Sequence, residues 1–240
     1  MLFEEFFYET DKGLCVSQEQ GSRFAKEVAG DFNPIHDPGS RRFCVPGDLL
    51  FALVLKRFGL SRKMSFRFHS MVGGGVPLVF DERGGGQIVV EDSSGKICLE
   101  AEKSGGCTKD SKVIDHFTRR YVAFSGLNFP HYLKPLMEAN DVMFNPSRPL
   151  VFYDSMGFEL DSLDVADADL EFHDSKLEIN GKRAAARLEF RVYSAGNSVG
   201  AGSKKLLISG LRPYSSEVMD SIVREFCRLK DEYEGRAASR

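Results

Sequence analysis

The stretch Pro46-Gly47-Asp48-Leu49-Leu50-Phe51-Ala52-Leu53-Val54-Leu55 decides the fold. A proline stands at its head, the run 49–55 is wholly apolar, and Lys56, Arg57 and Gly59 follow, which are the start and stop signals of a short helix. A helix that is apolar on every side has no face to give to water and must be buried all round. After it, segments near 64–72, 76–82, 87–91 and 96–103 read as strands, separated by Gly-rich or Asp-Ser-Ser-Gly turns. One buried helix wrapped by an antiparallel sheet is the simplest packing, and it makes the fold α+β.

Toward the N-terminus, 2–16 is strand-like and Phe-rich, broken by the turn Asp11-Lys12-Gly13. Ser17 followed by Gln20 is a capping-box signature, and Phe24, Ala25 and Val28 continue at helical spacing, so a helix is expected over 18–29. Asp31, Asn33 and Pro34 then take the chain out of the helix, leaving 30–46 as an ordered loop. The second half repeats the order: a helix over 111–124, a loop containing Gly126, Asn128, Pro130 and His131, a shorter helix near 131–140, and strands from 150 to 211. Asn180-Gly181 is the strongest hairpin signal, joining 170–179 to 183–193, and a final amphipathic helix is expected over 216–233. The segments around Gly30-Asp31-Phe32-Asn33-Pro34 and Gly126-Leu127-Asn128-Phe129-Pro130 echo each other weakly. Two units of one kind are expected, 1–106 and 107–240, the second degenerate.

The chain has 240 residues, 42% hydrophobic and 28% charged, enough for large packed cores. Its net charge is -3 and neither half has the basic excess usual for nucleic-acid binding. No apolar run approaches the roughly 20 residues of a membrane span. Glu4 and Glu5 stand where a secretory leader would be basic, so a cytoplasmic location is expected. Five cysteines, odd in number and with no C-x-x-C pair, point to reduced, mostly buried thiols and to no metal site. With 20 Phe and no Trp, phenylalanine must supply the large core volumes.

The chemistry is concentrated in Gly30-Asp31-Phe32-Asn33-Pro34-Ile35-His36, which places a carboxylate and an imidazole on one proline-stiffened loop where both can meet a single water. A neutral imidazole takes and returns a proton near neutral pH while the carboxylate orients the other hydrogen. Backbone N–H groups near Gly47, at the N-terminus of the buried helix, would face developing negative charge with the helix dipole behind them. Asn33 would brace the loop and Pro34 fix its path. The competing reading is a helix terminus whose polar residues only satisfy loop backbone. His69, alternating with phenylalanines, reads as the polar face of a strand, and His116, His131 and His173 carry no stronger signal. The triplets 73–75 and 84–86 are hairpin glycines without the features of a phosphate loop. Lys56, Arg57, Arg62, Lys63 and Arg67 either meet the phosphates of a ligand or an acidic partner protein, or merely follow a helix C-terminus that favours cations; the second reading leads. The nine acids between 154 and 178 read as solvated surface rather than as metal ligands.

With Asp31, Asn33, Pro34, Ile35 and His36 in the loop and Pro46, Gly47, Leu49 and Leu50 at the helix start, the sequence resembles the MaoC-like, R-specific enoyl-thioester hydratase family over about residues 15–85. The resemblance implies a double hot-dog fold and a bacterial subfamily with a degenerate second half. It implies an (R)-specific trans-2-enoyl-CoA or carrier-protein hydratase, a hydro-lyase, with Asp31 and His36 catalytic and Asn33, Gly47 and Asp48 on the substrate. The implied partners are a small acyl thioester on coenzyme A or an acyl carrier protein, with no cofactor, metal, nucleic acid or membrane, in a monomeric pseudo-dimer or a homodimer. The chain departs from the family pattern in having ten residues between His36 and Gly47, and in Asp48 standing where methionine is usual. Leu127 aligns with Asp31, so one site per chain is expected at most. The alternatives are an acyl-thioester or small-ligand binding module without turnover, and a thioesterase.

Overall fold

A computed structural model describes residues 3–238. A 3-10 turn at Glu4–Phe6 leads into the hairpin β1 (Tyr8–Thr10) and β2 (Gly13–Cys15), shorter than the strand-like run suggests, and Leu2 lies outside the described residues. Helix α1 (Gln18–Phe24) opens on the full capping box, Ser17 Oγ accepting from the Gln20 amide and Gln20 Oε1 from the Ser17 amide, and a π-turn at Ala25–Ala29 continues it. Helix α2 (Gly47–Phe58) is the buried one: 48–55 and Phe58 are all buried, as an apolar surface on every side requires. Strands β3 (Leu60–Phe68), β4 (Leu78–Arg83), β5 (Gln87–Asp92) and β6 (Ile97–Thr108) follow.

The second half departs from expectation at its start. In place of a helix, a loop and a second helix, α3 (Ser111–Leu127), a π-turn (Asn128–Leu133) and α4 (Lys134–Glu138) form one unbroken helical run. Pro130 sits early in the π-turn and Pro135 in the first turn of α4, where the wider π-turn hydrogen bonding absorbs a missing N–H. The sequence echo around Gly126 therefore does not build a second copy of the 30–36 loop. Then come β7 (Val142–Met143), β8 (Leu150–Leu160), β9 (Asp169–Asn180), β10 (Arg183–Ser194), β11 (Asn197–Ser209), β12 (Arg212–Pro213) and α5 (Ser216–Ala238). The β9–β10 hairpin falls where Asn180-Gly181 places it, but Asn180 pairs with Arg183 and the two loop residues are Gly181, at φ +57, and Lys182.

Ten strands form one antiparallel sheet in the order β1-β2-β4-β5-β6-β3-β8-β11-β10-β9. Reading outward from the β3–β8 seam, the orders 3-6-5-4 and 8-11-10-9 mirror each other. This is the double hot-dog arrangement, an α+β fold with helices against a single curved sheet. Met64 faces Phe158 and Phe66 faces Met156 across the seam, all four buried. Strand β10 buries Ala184, Ala186, Leu188, Phe190 and Val192 in strict alternation, the mark of a sheet with one covered face. The covering layer joins both halves: Phe51 of α2 stacks on Tyr121 of α3 at 4.3 Å between ring centres, and Phe117 meets Phe158 edge-on at 4.9 Å. Such offset and edge contacts use the ring quadrupole as well as area, and they fill the volume that the absence of tryptophan leaves to phenylalanine.

All five cysteines are free thiols. Cys15 and Cys98 are buried, but Cys107 and Cys227 are exposed, which corrects the expectation of mostly buried thiols. Among the described residues no helix is long and apolar enough to cross a membrane, and no group of three metal-ligating side chains comes together.

Candidate active site

The loop that carries Asp31 is positioned from both ends. At the end of the π-turn Gly30 takes φ +65, a left-handed conformation in which glycine avoids the Cβ penalty, and the Asp31 amide donates to the Ala25 carbonyl at 2.8 Å. Asp31 Oδ1 then accepts the Asn33 amide at 2.9 Å, and Asn33 Oδ1 accepts the Ile35 amide at 3.1 Å. Pro34 opens a 3-10 turn, Pro34–His36, and the Cys44 amide donates to the Ile35 carbonyl at 3.1 Å, tying the loop to its own return. Asn33 thus braces the loop as its position suggests.

Not all of the polar capacity is spent on the backbone. His36 Nδ1 lies 2.7 Å from the Cys44 carbonyl oxygen, which can only accept, so Nδ1 carries the hydrogen. In the neutral ring Nε2 is then an acceptor, and it faces Asp31 Oδ2 at 3.6 Å, beyond a direct hydrogen bond. Two acceptors, Nε2 and Oδ2, converge on one spot that a water or hydroxyl can occupy as donor to both. Burial pushes the Asp31 carboxyl above its ordinary range, His36 and the Asn33 amide work against that rise, and Asp48 adds to it.

Both side chains line a cavity of about 710 Å³ shared between the two halves of the chain. Its first wall is the 31–36 loop, the return through Cys44 and Val45, and the start of α2 at Gly47. Helix α2 opens without a side-chain cap, so its first N–H groups are left for whatever sits there. A Cβ at Gly47 would come within 3.2 Å of the Phe68 ring and 3.4 Å of the Tyr153 ring, so glycine lets both rings close over the helix start. Tyr153 receives a hydrogen bond from Asn128 Nδ2 at 3.2 Å, and burial drives its hydroxyl well above the ordinary range, keeping it a neutral donor. Cys44 also borders the cavity, but burial pushes its thiol up to about 11, which argues against a thiolate nucleophile at neutral pH.

Asp48 also borders the cavity, and its charge has a partner inside the protein. It is buried and meets the fully buried Lys204 of β11 at 3.2 Å. Lys204 Nζ also donates to the Tyr121 carbonyl at 2.8 Å and to Ser125 Oγ at 2.6 Å, and lies 4.2 Å from the Tyr121 ring centre. Desolvation lowers the Lys204 pKa and Asp48 opposes that shift. The negative charge beside Gly47 is thereby neutralised from the other half of the chain. Lys204 has a readable signal in the sequence: with Leu206 and Ile208 it occupies the inward parity of β11, where a lysine must have a buried partner.

The remaining candidates sort as follows. His69, expected on a strand's polar face, lies just past β3 on the cavity wall, with Nε2 2.6 Å from Glu100 Oε2. His116 bonds the Ala168 carbonyl at 2.9 Å, a structural contact. Of the basic cluster, Lys56 pairs with Glu4, Lys63 with Glu159, and Arg62 donates to the Leu160 carbonyl, so these three have partners within the protein.

Residues 1–217 match the family described as protein of unknown function (DUF3581), and the chain belongs to that family. No curated protein matches it. Among solved structures, an acyl-CoA thioesterase II from Mycobacterium marinum is similar at 12% identity and a TM-score of 0.46, over 89% of this chain and 99% of that one. A MaoC-like dehydratase is similar at 11% identity and 0.44, over 85% and 98%. A TesB protein of Mycobacterium avium subspecies paratuberculosis is similar at 9% and 0.43, over 86% and 96%. Likenesses this distant do not choose between chemistries.

Replacing Lys204 by Met leaves Asp48 buried and unpaired and is expected to cost about 3–5 kcal/mol, whereas Asp48→Leu combined with Lys204→Met should recover most of it. Urea unfolding of the two variants checks this, and equal losses in the single and the double variant would refute the pairing. Gly126 of α3 packs on the Asp31 turn so closely that a Cβ would stand 2.7 Å from the Gly30 carbonyl oxygen. Gly126→Ala is therefore expected to destabilise by about 1–3 kcal/mol, read by the same denaturation, because α3 must back away from the turn.

Proposed function

We propose that the chain is a hydratase and dehydratase of enoyl and 3-hydroxyacyl thioesters, with unit 1–106 supplying the reactive loop and unit 107–240 closing the cavity over it. The observation that carries this reading is the convergence of His36 Nε2 and Asp31 Oδ2, 3.6 Å apart, beside the uncapped start of α2. A water donating to both acceptors keeps its lone pairs free for attack. Its oxygen adds to the β-carbon of a trans-2-enoyl thioester as His36 Nε2 takes one proton. The electrons of the double bond move onto the thioester carbonyl, where the Gly47 amide and the α2 dipole face the developing negative charge. The proton returns to the α-carbon, giving the 3-hydroxyacyl thioester and restoring both groups.

Asp48 borders the cavity beside Gly47, and in this scheme its part is electrostatic. A free carboxylate there would oppose the oxyanion; paired to Lys204 it leaves the helix start electrostatically usable. Asn33 acts through the loop it braces, and Gly47 through its amide. Coenzyme A and a carrier protein remain equivalent sources of the thioester in this scheme, since the reacting atoms are the same.

Hydration of crotonyl-, hexenoyl-, octenoyl- and decenoyl-CoA, followed by loss of the enoyl absorbance, tests the proposal. The wild type should turn over at least one, and His36→Ala and Asp31→Asn should each lose roughly 10²–10⁴-fold in kcat while remaining folded. Release of free thiol without loss of the double bond would replace this reading by thioester hydrolysis. Tight binding with no product would make the cavity a binding module.

Asp31 also carries a stability signature. Because burial raises its proton affinity in the folded chain above that in the unfolded chain, ionising it costs stability above its ordinary pKa, and that cost disappears as pH falls through the raised value. Asp31→Asn should therefore raise Tm at neutral pH while lowering activity, with the Tm gain shrinking toward acid pH. A Tm that falls on substitution at pH 7 would contradict the assignment.

A further inference from the structure

We infer that helix α5 is the specificity wall of this cavity, and that Phe226 is the residue on which the far end of a bound acyl chain stops. This rests on the acyl-thioester reading above and adds to it the part of the chain that selects the acyl group. Only the first residues of α5 (Ser216–Ala238) fall within the part of the chain matched by the family model.

The helix presents a narrow packed stripe. Met219 and Phe226 are buried, Ile222, Leu229 and Tyr233 are half-buried, and their spacing of three and four residues keeps them on one face. Ile222, Phe226 and Leu229 border the cavity. Phe226 meets Phe32 edge-on at 5.8 Å and Phe129 at 5.7 Å, and Phe129 meets Phe144 at 5.7 Å. These rings form a continuous aromatic wall running from the reactive loop, where Phe32 stands between Asp31 and Asn33, to the π-turn of the second half. Phe32, Phe144 and Phe226 are buried, while Met71 and Phe152, also on the lining, are exposed at 53% and 39%. Met71 and Phe152 therefore mark the mouth and the phenylalanine wall the packed end, with exposed Ser221 and Glu225 at its edge.

Polar contacts fix the helix at both ends of this stripe. Lys134 pairs with Asp220 at 3.0 Å, and the Tyr233 hydroxyl donates to Glu27 Oε1 at 2.8 Å while its ring lies edge-on to Phe32 at 5.9 Å. The wall is thus seated on the same helical segment that delivers Asp31. An apolar chain entering past Met71 meets the rings of Phe32, Phe129 and Phe226, with Ser221 and Glu225 of α5 as polar neighbours on the lining and Glu225 held by Arg228, so its terminal methyl would rest on Phe226, and the volume left there sets the length accepted. The substrate class is an unbranched apolar acyl chain.

The test uses the full chain and two variants of opposite sense. Phe226→Ala deepens the packed end and Phe226→Trp fills it. Binding of butanoyl-, hexanoyl-, octanoyl- and decanoyl-CoA by calorimetry reads length preference without requiring turnover, and hydration of the matching enoyl-CoA series reads it with turnover. The Ala variant should move the optimum to longer chains, the longest gaining on the order of tenfold relative to the wild-type optimum, and the Trp variant should move it to shorter chains. A uniform loss across all lengths in both variants, with the optimum unmoved, would overturn the wall assignment, because a merely structural Phe226 would act on every chain alike. A shifted binding optimum with no hydration by any form would keep the wall and remove the hydratase reading. Hydration by the wild type with an unmoved optimum in both variants would do the reverse. Should the Ala variant lose its folded melting transition, the Trp variant alone decides.

Discussion

A negative charge beside the start of a buried helix is the constraint around which this molecule is arranged. Asp48 is taken out of water in the first turn of α2, and a carboxylate there is tolerable only with a partner that is itself dry. Lys204 supplies it from the opposite half of the sheet, anchored in turn by the Tyr121 carbonyl, Ser125 and the Tyr121 ring. The pair does more than balance a charge. It ties α2 to β11 across the cavity between the halves, and it offsets the negative charge at the helix start.

Around that pair the aromatic core does the positioning. Phe51, Tyr121, Phe158 and Phe190 form a chain of ring contacts from α2 through α3 to the sheet, so the two buried helices cannot slide independently. Gly126 then lets α3 rest directly on the turn that presents Asp31, and the π-turns on either side of this contact rotate Asp31 and Asn128 toward the cavity edge. Rigid elements hold the Asp31–His36 loop, while the placing of its side chains depends on a few hydrogen bonds within it.

Much of the first half was legible because its signals are local. The capping box at Ser17, the all-apolar 49–55 run and the Asp31–His36 loop each carry their own physics, and the structure brings Asp31 and His36 onto one cavity. The second half hid its helical run because Gly126, Pro130 and Pro135 read as a loop, and only tertiary packing and the wider π-turn make them tolerable in a helix. The partner of Asp48 was hidden for another reason: 156 positions separate it from Lys204, and no local pattern spans that distance. Inward parity in β11 is a local signal that residue 204 is buried, but it does not say which acid the lysine meets. The same holds for Phe226, whose helical stripe was visible while the cavity beneath it was not.

Joining both halves through the β3–β8 seam within one polypeptide removes a symmetry requirement. In an assembly of two identical chains, any residue change is imposed on both copies, so a lysine placed to meet an aspartate on one side must also appear, with its buried charge, at the equivalent place on the other. Here Lys204 and Asp48 need no mirror image, and the 125–131 segment is free to be helix where its counterpart is the Asp31–His36 turn. Each half can therefore change on its own, and a single codon change in one leaves its twin undisturbed.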